Sequence, residues 1–407
     1  MKNRMFLIVG AGCVVLFLAL GTRQSFGLFL APMSKELGWG REIFSLAIGL
    51  QNLLWGLSQP FIGAIADRYG PGRVVALGAV FYAVGLYIMS VTATPMELHL
   101  GAGLVIGVSL SAISFAVVFG AVARVVPQER QGMALGVVGA MGSAGQFLVV
   151  LGNQALLDAE GWRTTFLICA VVIAALLLPL AYPIRRRAAA DGSGAATIGG
   201  ADNLKAALNE AFGHRGFWLL NAGFFVCGYQ VTFIATHLPA YVSDQSLPGW
   251  VGGTALALVG AFNIVGSFAC GTLGDKYRKK YLLSLLYILR AVVIAGLLLA
   301  PPSATNMLIF GAAMGLLWLG TVPLTSSLVA QIFGVRYMTT LFGVVFFSHQ
   351  AGAFLGVWLG GKLYDMTGSY DVVWMIAFVL GIAAALLHWP IADTPVARAG
   401  GTVPAKA

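Results

Sequence analysis

Apolar runs of roughly membrane-spanning length, each closed by a charged or Pro/Gly-rich break, recur along nearly the whole 407-residue chain. A hydrocarbon core about 30 Å thick takes roughly 20 apolar residues per helix. The runs predict helices over 6–31, 43–66, 73–92, 98–124, 132–156 and 163–183, and then over 216–242, 251–273, 281–300, 305–333, 340–364 and 371–391. The pattern is six spans, an interruption, and six more. The interruption opens with Arg185-Arg186-Arg187, is Ala/Gly-rich over 188–200, and turns weakly amphipathic around Leu204, Ala207, Leu208 and Phe212. It reads as a cytoplasmic linker with a short surface helix. The chain therefore divides into a six-helix bundle over 1–184, a linker over 185–215, a second bundle over 216–391 and a cytoplasmic tail over 392–407.

Composition agrees with lipid as the solvent. Hydrophobic residues make up 59% of the chain and charged residues 10%, where a soluble domain carries about 25% charged. Of the 24 Lys and Arg, 18 fall on the side of the N-terminus, and only Lys35, Arg41, Arg163 and Lys362 fall opposite. Arg23 and Arg290 lie inside apolar segments. That bias predicts both termini in the cytoplasm of a cell whose plasma (inner) membrane holds the protein. The net charge of +9 is then mostly topological, a basic face toward anionic lipid, and calls for no nucleic acid. The opening Met-Lys-Asn-Arg precedes an apolar run of about 25 residues without a small-residue cleavage site, so it reads as the first span, not a signal peptide. The four cysteines fall within spans without metal-ligand spacing and read as small core residues. No cofactor or metal is expected.

The two sets of spans are copies. The loop Gly63-Ala-Ile-Ala-Asp67-Arg68-Tyr-Gly70-Pro-Gly-Arg73 returns 208 positions later as Gly271-Thr-Leu-Gly-Asp275-Lys276-Tyr-Arg278-Lys279-Lys280. At an offset of 207, Gly136-Val137-Val138 matches Gly343-Val344-Val345, Gly145 matches Gly352, Phe147 matches Phe354, Asp158 matches Asp365 and Gly161 matches Gly368. Each copy has six spans, so the repeats are parallel, related by an axis along the membrane normal, with a site expected at their interface. Gly352, Gly356 and Gly360, and in the first copy Gly132, Gly136, Gly139, Gly142 and Gly145, give helix faces on which backbones approach closely.

The paired Gly-x-x-x-Asp-Arg/Lys loops, the twelve spans and the long central loop resemble the major facilitator superfamily over essentially the whole chain. The resemblance implies an all-α fold of twelve transmembrane helices in two six-helix parallel repeats, a functional monomer, and a transporter, not an enzyme. It also implies that Asp67, Arg68, Arg73, Asp275 and Lys276 belong to gating loops. The second loop departs from the family pattern, with Arg278 where the glycine would stand. Ser25-Phe26-Gly27-Leu28-Phe29 in the first span is similar to a motif of the monocarboxylate transporter and oxalate–formate antiporter branch. Here that branch's lysine position holds Gln24, with Arg23 beside it, a displacement of about 100° around a helix. The Asp and Arg that monocarboxylate transporters carry four apart in span eight are Asn263 and Ser267.

A charged side chain at mid-membrane depth is costly and should face a partner or an aqueous cavity. None of the 15 carboxylates falls at the middle of a predicted span, so Arg23 has no obvious fixed counter-ion. A guanidinium presents a fork matched to a carboxylate, and a substrate carboxylate is one reading of the missing partner. Hydrogen bonding to Gln or carbonyl oxygens, or snorkelling to the interface, is the other. Arg290 divides the same way between ligand and structural brace. Other polar groups at mid-depth include Gln51, Asn52, Ser111, Ser114, Gln146, Tyr229, Gln230, His237, Asn263, Trp318, Thr321, His349 and Gln350. With the family's central spans one, four, seven and ten, the substrate-binding candidates are Arg23, Gln24, Ser114, Tyr229, His237, Asn263, Arg290, Trp318, Phe346, His349 and Gln350. His237 and His349 are the mid-depth groups able to exchange a proton near neutral pH. The expected function is transport of a small organic anion, a monocarboxylate above all, by alternating access, as proton symport or anion exchange. A carrier of a neutral solute or a drug efflux pump is the alternative, although the span-five run Gly139-Ala-Met-Gly142-Ser-Ala-Gly145 lacks the proline of efflux pumps.

Overall fold

A computed structural model describes residues 2–184, 203–334 and 336–396, without the side chains of 2–4, 67, 128, 129, 132 and 339. The Arg185–Arg187 start of the predicted linker and the tail beyond 396 lie outside the described residues. Within them every regular element is helical. In chain order these are α1 (Lys2–Gln24), α2 (Gly27–Leu37), α3 (Arg41–Tyr69), α4 (Pro71–Val91), α5 (Pro95–Leu98), a π-helical turn (His99–Val105), α6 (Ile106–Ile113), α7 (Phe115–Ala123) and α8 (Gln128–Ile184). The second half holds α9 (Leu204–Gly213), α10 (Arg215–Asp244), α11 (Gly249–Lys276), α12 (Lys279–Leu299), α13 (Ala304–Leu316), α14 (Thr321–Phe333), α15 (Met338–Thr367) and α16 (Asp371–His388).

Among the described residues ten helical stretches are long and apolar enough to cross a membrane. One of them, Met133–Ile184, holds 52 residues and is divided at Gly161, whose φ of 74° is not helical. The 29-residue α3 adds crossing length with a more polar sequence. The surface helix foreseen near Leu204 is α9, whose Ala207 and Ala211 are buried while Phe212 stacks on Trp218 at the start of α10.

The repeat is visible in backbone detail. Gly161 and its counterpart Gly368 both take a positive φ, 74° and 70°, a region that costs an L-residue energy and glycine little. Gly145 lies so close to the carbonyl of Phe17 that an added Cβ would collide with it, and Gly352 stands in the same relation to the carbonyl of Phe225. The first loop turns at Gly70 with φ of 95°, whereas Arg278 in the second holds an ordinary φ of −64°. The halves meet where α3 packs on α15, α2 on α10 and α8 on α11.

Three predicted spans are not continuous helices. The first breaks at Ser25–Phe26, the fourth at Ser114 and the tenth over Leu317–Gly320. Apolar periodicity does not register these breaks, because neighbouring side chains satisfy the freed backbone and keep the segments at membrane depth. The tenth is braced by Arg290, which donates Nε and Nη2 to the Leu317 carbonyl at 3.0 and 2.7 Å and Nη2 to the Trp318 carbonyl. Asn263 accepts the Leu319 amide at 3.0 Å. At the fourth break Gln59 Nε2 donates to the Ser111 carbonyl at 3.3 Å. At the first, Ser25 Oγ donates to the Thr22 carbonyl at 2.7 Å and accepts from Asn153 Nδ2 at 2.7 Å.

Candidate functional site

Arg23 is the penultimate residue of α1, directly before the first break. Its Nη2 donates to Asn52 Oδ1 on α3, and its guanidinium sits over the Trp55 ring, 5.0 Å from the centroid. Asn52 is oriented by its own donation to the Ile48 carbonyl at 2.7 Å. Trp55 Nε1 donates to Gln59 Oε1 at 3.0 Å and to Ser114 Oγ, at the fourth-span break, at 3.2 Å. Arg23 Nε is buried without an acceptor, and among the described residues no carboxylate approaches this guanidinium.

The cluster continues into the other half. Phe346 on α15 meets Trp55 edge-on at 5.7 Å, and His349 stacks on Phe346 at 5.9 Å with the rings within 4° of parallel. His349 Nδ1 lies 3.1 Å from Gln350 Oε1, while Gln350 Nε2 has no partner. Gln24 Nε2 and the Tyr229 hydroxyl are likewise buried and unpartnered. Buried polar groups are ordinarily hydrogen-bonded, so these unpaired groups on α1, α10 and α15 are open to a hydrogen-bonding ligand.

The structure therefore brings Arg23, Ser114, Phe346, His349 and Gln350 around Asn52 and Trp55. It holds Gln24 and Tyr229 buried on flanking segments with free donors. Arg290 and Trp318 are fully buried at the tenth-span break, with the Arg290 donors turned onto carbonyls of that break and its Nη1 3.4 Å from Gln230 Oε1 and from Cys227 Sγ. Asn263 joins the halves, donating to Ser143 Oγ at 2.9 Å. His237 is fully buried near the end of the bundle distal to the termini, its Nδ1 2.8 Å from the Tyr370 hydroxyl and its Nε2 2.9 Å from the Val357 carbonyl. Arg68, Arg73, Asp275 and Lys276 are exposed on the helix ends at the opposite, proximal face. Asp67 is in α3 beside Arg68, its side chain outside the described set. Trp55 is the residue sequence reasoning missed. Its signal is a polar and aromatic set, Gln51, Asn52 and Trp55, at helical spacing in the span.

The family model for the Major Facilitator Superfamily matches residues 12–356 and again 253–406. The chain is similar to the uncharacterized MFS-type transporter YcxA of Bacillus subtilis, 26% identical with 92% of each chain covered. It is 25% identical to monocarboxylate transporter 11 of Mus musculus, over 92% of this chain and 85% of that one. It is 21% identical to the oxalate:formate antiporter of Oxalobacter formigenes, over 98% and 93%. Among solved structures, a bacterial homolog of the human lysosomal transporter Spinster, in an inward-facing and occupied conformation, superposes with a TM-score of 0.77 at 14% identity, covering 95% of this chain and 96% of that one.

Proposed function

Because the chain belongs to the major facilitator superfamily and is a transporter of that family, not an enzyme, we propose that its cargo is a small organic anion, a monocarboxylate, bound by Arg23 and carried by alternating access. The observation that carries this reading is the Arg23 guanidinium, held beside a helix break by neutral groups alone, with its Nε unpaired. A carboxylate on Arg23 would accept from the free guanidinium edge and from the Gln350 amide. The faces of Trp55 and Phe346 would take its apolar body. Likeness to a monocarboxylate transporter and to an oxalate:formate antiporter supports the same class. Arg290 then serves as a positioning residue that shapes the tenth-span break, and the proximal loops with Asp67, Arg68, Arg73, Asp275 and Lys276 act as gates.

Coupling takes one of two forms. In symport the proton rides on the substrate or on His349, which is at the site, whereas both nitrogens of His237 are engaged elsewhere. In exchange, a second anion discharges Arg23 before the empty carrier would have to return. We place the protein in the plasma (inner) membrane with both termini cytoplasmic on the Lys/Arg bias, and as a monomer on the family resemblance.

The test is uptake of labelled lactate, pyruvate, formate and xylose into proteoliposomes by wild type and Arg23→Gln, with a pH gradient or with internal counter-anion. Carboxylate uptake lost in the variant is the expected result, and its dependence on the gradient or on the counter-anion assigns symport or exchange. Xylose uptake, or carboxylate uptake indifferent to Arg23, refutes the proposal.

A further inference from the structure

At the end of the bundle distal to the termini, one helix start is bound to the opposite half by two carboxylates. Arg41, the first residue of α3, donates Nη1 to Asp244 Oδ2 at 2.7 Å and Nη2 to Asp244 Oδ1 at 2.6 Å, a paired contact with the last residue of α10. Its guanidinium lies 3.7 Å from the centroid of Tyr364, and its Nη1 donates to the Tyr370 hydroxyl at 2.9 Å. Asp365 of α15 accepts the backbone amides of Arg41 and Glu42, each at 2.8 Å. The residue at the N-cap position of α3 is Gly40, which has no side chain to offer. Asp365 thus caps α3 from the other half, where the first amides of a helix are unpaired and its dipole favours an anion. Beneath this layer Ser45 Oγ stands 3.4 Å from His237 Nε2, and Trp358 Nε1 donates to Glu42 Oε1 at 3.0 Å.

Isolated surface ion pairs contribute little. This one differs, because the Arg41 side chain is only 12% exposed and its paired contact, the ring contact and the helix cap all join the same two bodies. Nor is it a by-product of the duplication. Asp158, the counterpart of Asp365, is held by Gln154 Nε2 of its own helix at 2.8 Å, and α11, with Pro248 at its N-cap position, has no side-chain cap. The same α3 carries Asn52 and Trp55, about 16 and about 21 Å further along at 1.5 Å per residue.

We propose that Arg41, Asp244 and Asp365 are gating residues of the transport cycle: they lock the distal end shut by fastening the start of α3 to α10 and α15, and distal opening requires all three contacts to break. Because α3 also bears the groups on Arg23, a shift of Asn52 or Trp55 on loading reaches the lock through one rigid helix. The inference does not depend on which substrate is carried.

The experiment measures maleimide labelling of Ser45→Cys, at a position fully buried in the closed lock, in the purified full-length protein with Cys13 replaced by serine. Asp365→Ala is expected to raise the labelling rate roughly five-fold, as for loss of one helix cap. Asp244→Asn should raise it further, and the exchange Arg41→Asp with Asp244→Arg should bring it back toward the starting rate. Each variant is compared at matched melting midpoint and elution profile, so that general loosening, which the charge exchange would not reverse, is separated from opening. Unchanged labelling in Asp365→Ala and Asp244→Asn, or acceleration that the charge exchange leaves in place, overturns the lock.

Discussion

Arg290→Met decides whether the second intramembrane arginine braces the fold or receives the substrate. The side chain is fully buried, and its donors are directed to the Leu317 and Trp318 carbonyls, which the break between α13 and α14 leaves without helical partners. A hydrogen bond from a charged donor contributes about 1.5–3 kcal/mol, and a buried carbonyl left unpaired costs about 1–3 kcal/mol. Methionine is of similar length and leaves little void. Removing the charge also recovers part of its desolvation cost. The balance is a loss of roughly 2–4 kcal/mol, with Arg290→Lys in between, since an ammonium can satisfy one carbonyl but lacks the planar fork that serves both.

The assay is thermal unfolding of the detergent-purified variants, followed by uptake under the conditions used for Arg23→Gln. Arg290→Met should lower the midpoint by at least about 3 °C. Arg290→Lys should lower it less and retain saturable carboxylate uptake with a changed maximal rate. An Arg290→Met protein as stable as wild type, with transport abolished at unchanged expression, would refute the brace and return Arg290 to the binding set.

Three further outcomes are expected. Trp55→Leu should raise the half-saturation concentration for the transported monocarboxylate about ten-fold, since it removes the ring over Arg23 and the wall shared with Phe346; an unchanged value in an uptake titration would remove Trp55 from the site. Gly352→Ala drives a methyl into the Phe225 carbonyl and should cost about 1–3 kcal/mol, whereas Gly343→Ala on the same helix meets open space and should be neutral or mildly stabilising by thermal melt. Hydrogen bonding from Arg278 holds the Asp393 carboxyl below its ordinary value. A depressed folded-state value means the unfolded chain takes up the proton first. Stability from this contact is therefore complete above the unfolded value of about 4 and is lost as pH falls through the folded one. With Arg278 half exposed the contribution is small, and Asp393→Asn should flatten the melting midpoint between pH 5 and pH 3 relative to wild type.

The helices were legible in the sequence because lipid imposes a length and a composition on every span, and the duplication because Gly161 and Gly368 must both accept a positive φ that few residues tolerate. Arg23 stood out for the same reason: a charge at that depth needs a partner, and no carboxylate was within reach along the chain. What hydropathy cannot carry is direction. Gln51, Asn52 and Trp55 occupy adjacent positions on one helix, yet only a three-dimensional arrangement turns Asn52 and Trp55 onto Arg23 and Gln51 onto the Ala102 carbonyl. The breaks escaped for a related reason. At the fourth and tenth spans the freed carbonyls and amides are bonded by Gln59, Arg290 and Asn263, residues 27 to 56 positions away, so no local run of polar residues marks those two.

The departure of the second loop motif acquires a physical meaning from the same standpoint. In the first copy Gly70 turns the chain with φ of 95° between α3 and α4, a conformation that Arg278 does not share. Arg278 instead donates to both oxygens of Asp393, Lys280 donates to the Ile391 carbonyl at 2.8 Å, and Gln331 Nε2 donates to the Asp393 carbonyl at 2.6 Å. The Val396 amide completes the tie on the Ile332 carbonyl at 2.9 Å. The segment after α16 therefore straps the start of α12 to the end of α14, within one half. A strap confined to one half stiffens that body without joining it to the other. The two halves have thus diverged at both ends of the bundle: proximally, where the second copy binds its own tail, and distally, where Asp365 caps a helix across the interface while Asp158 does not. Duplicated helices explain how the bundle packs, and these unshared contacts are where the copies acquired separate mechanical roles.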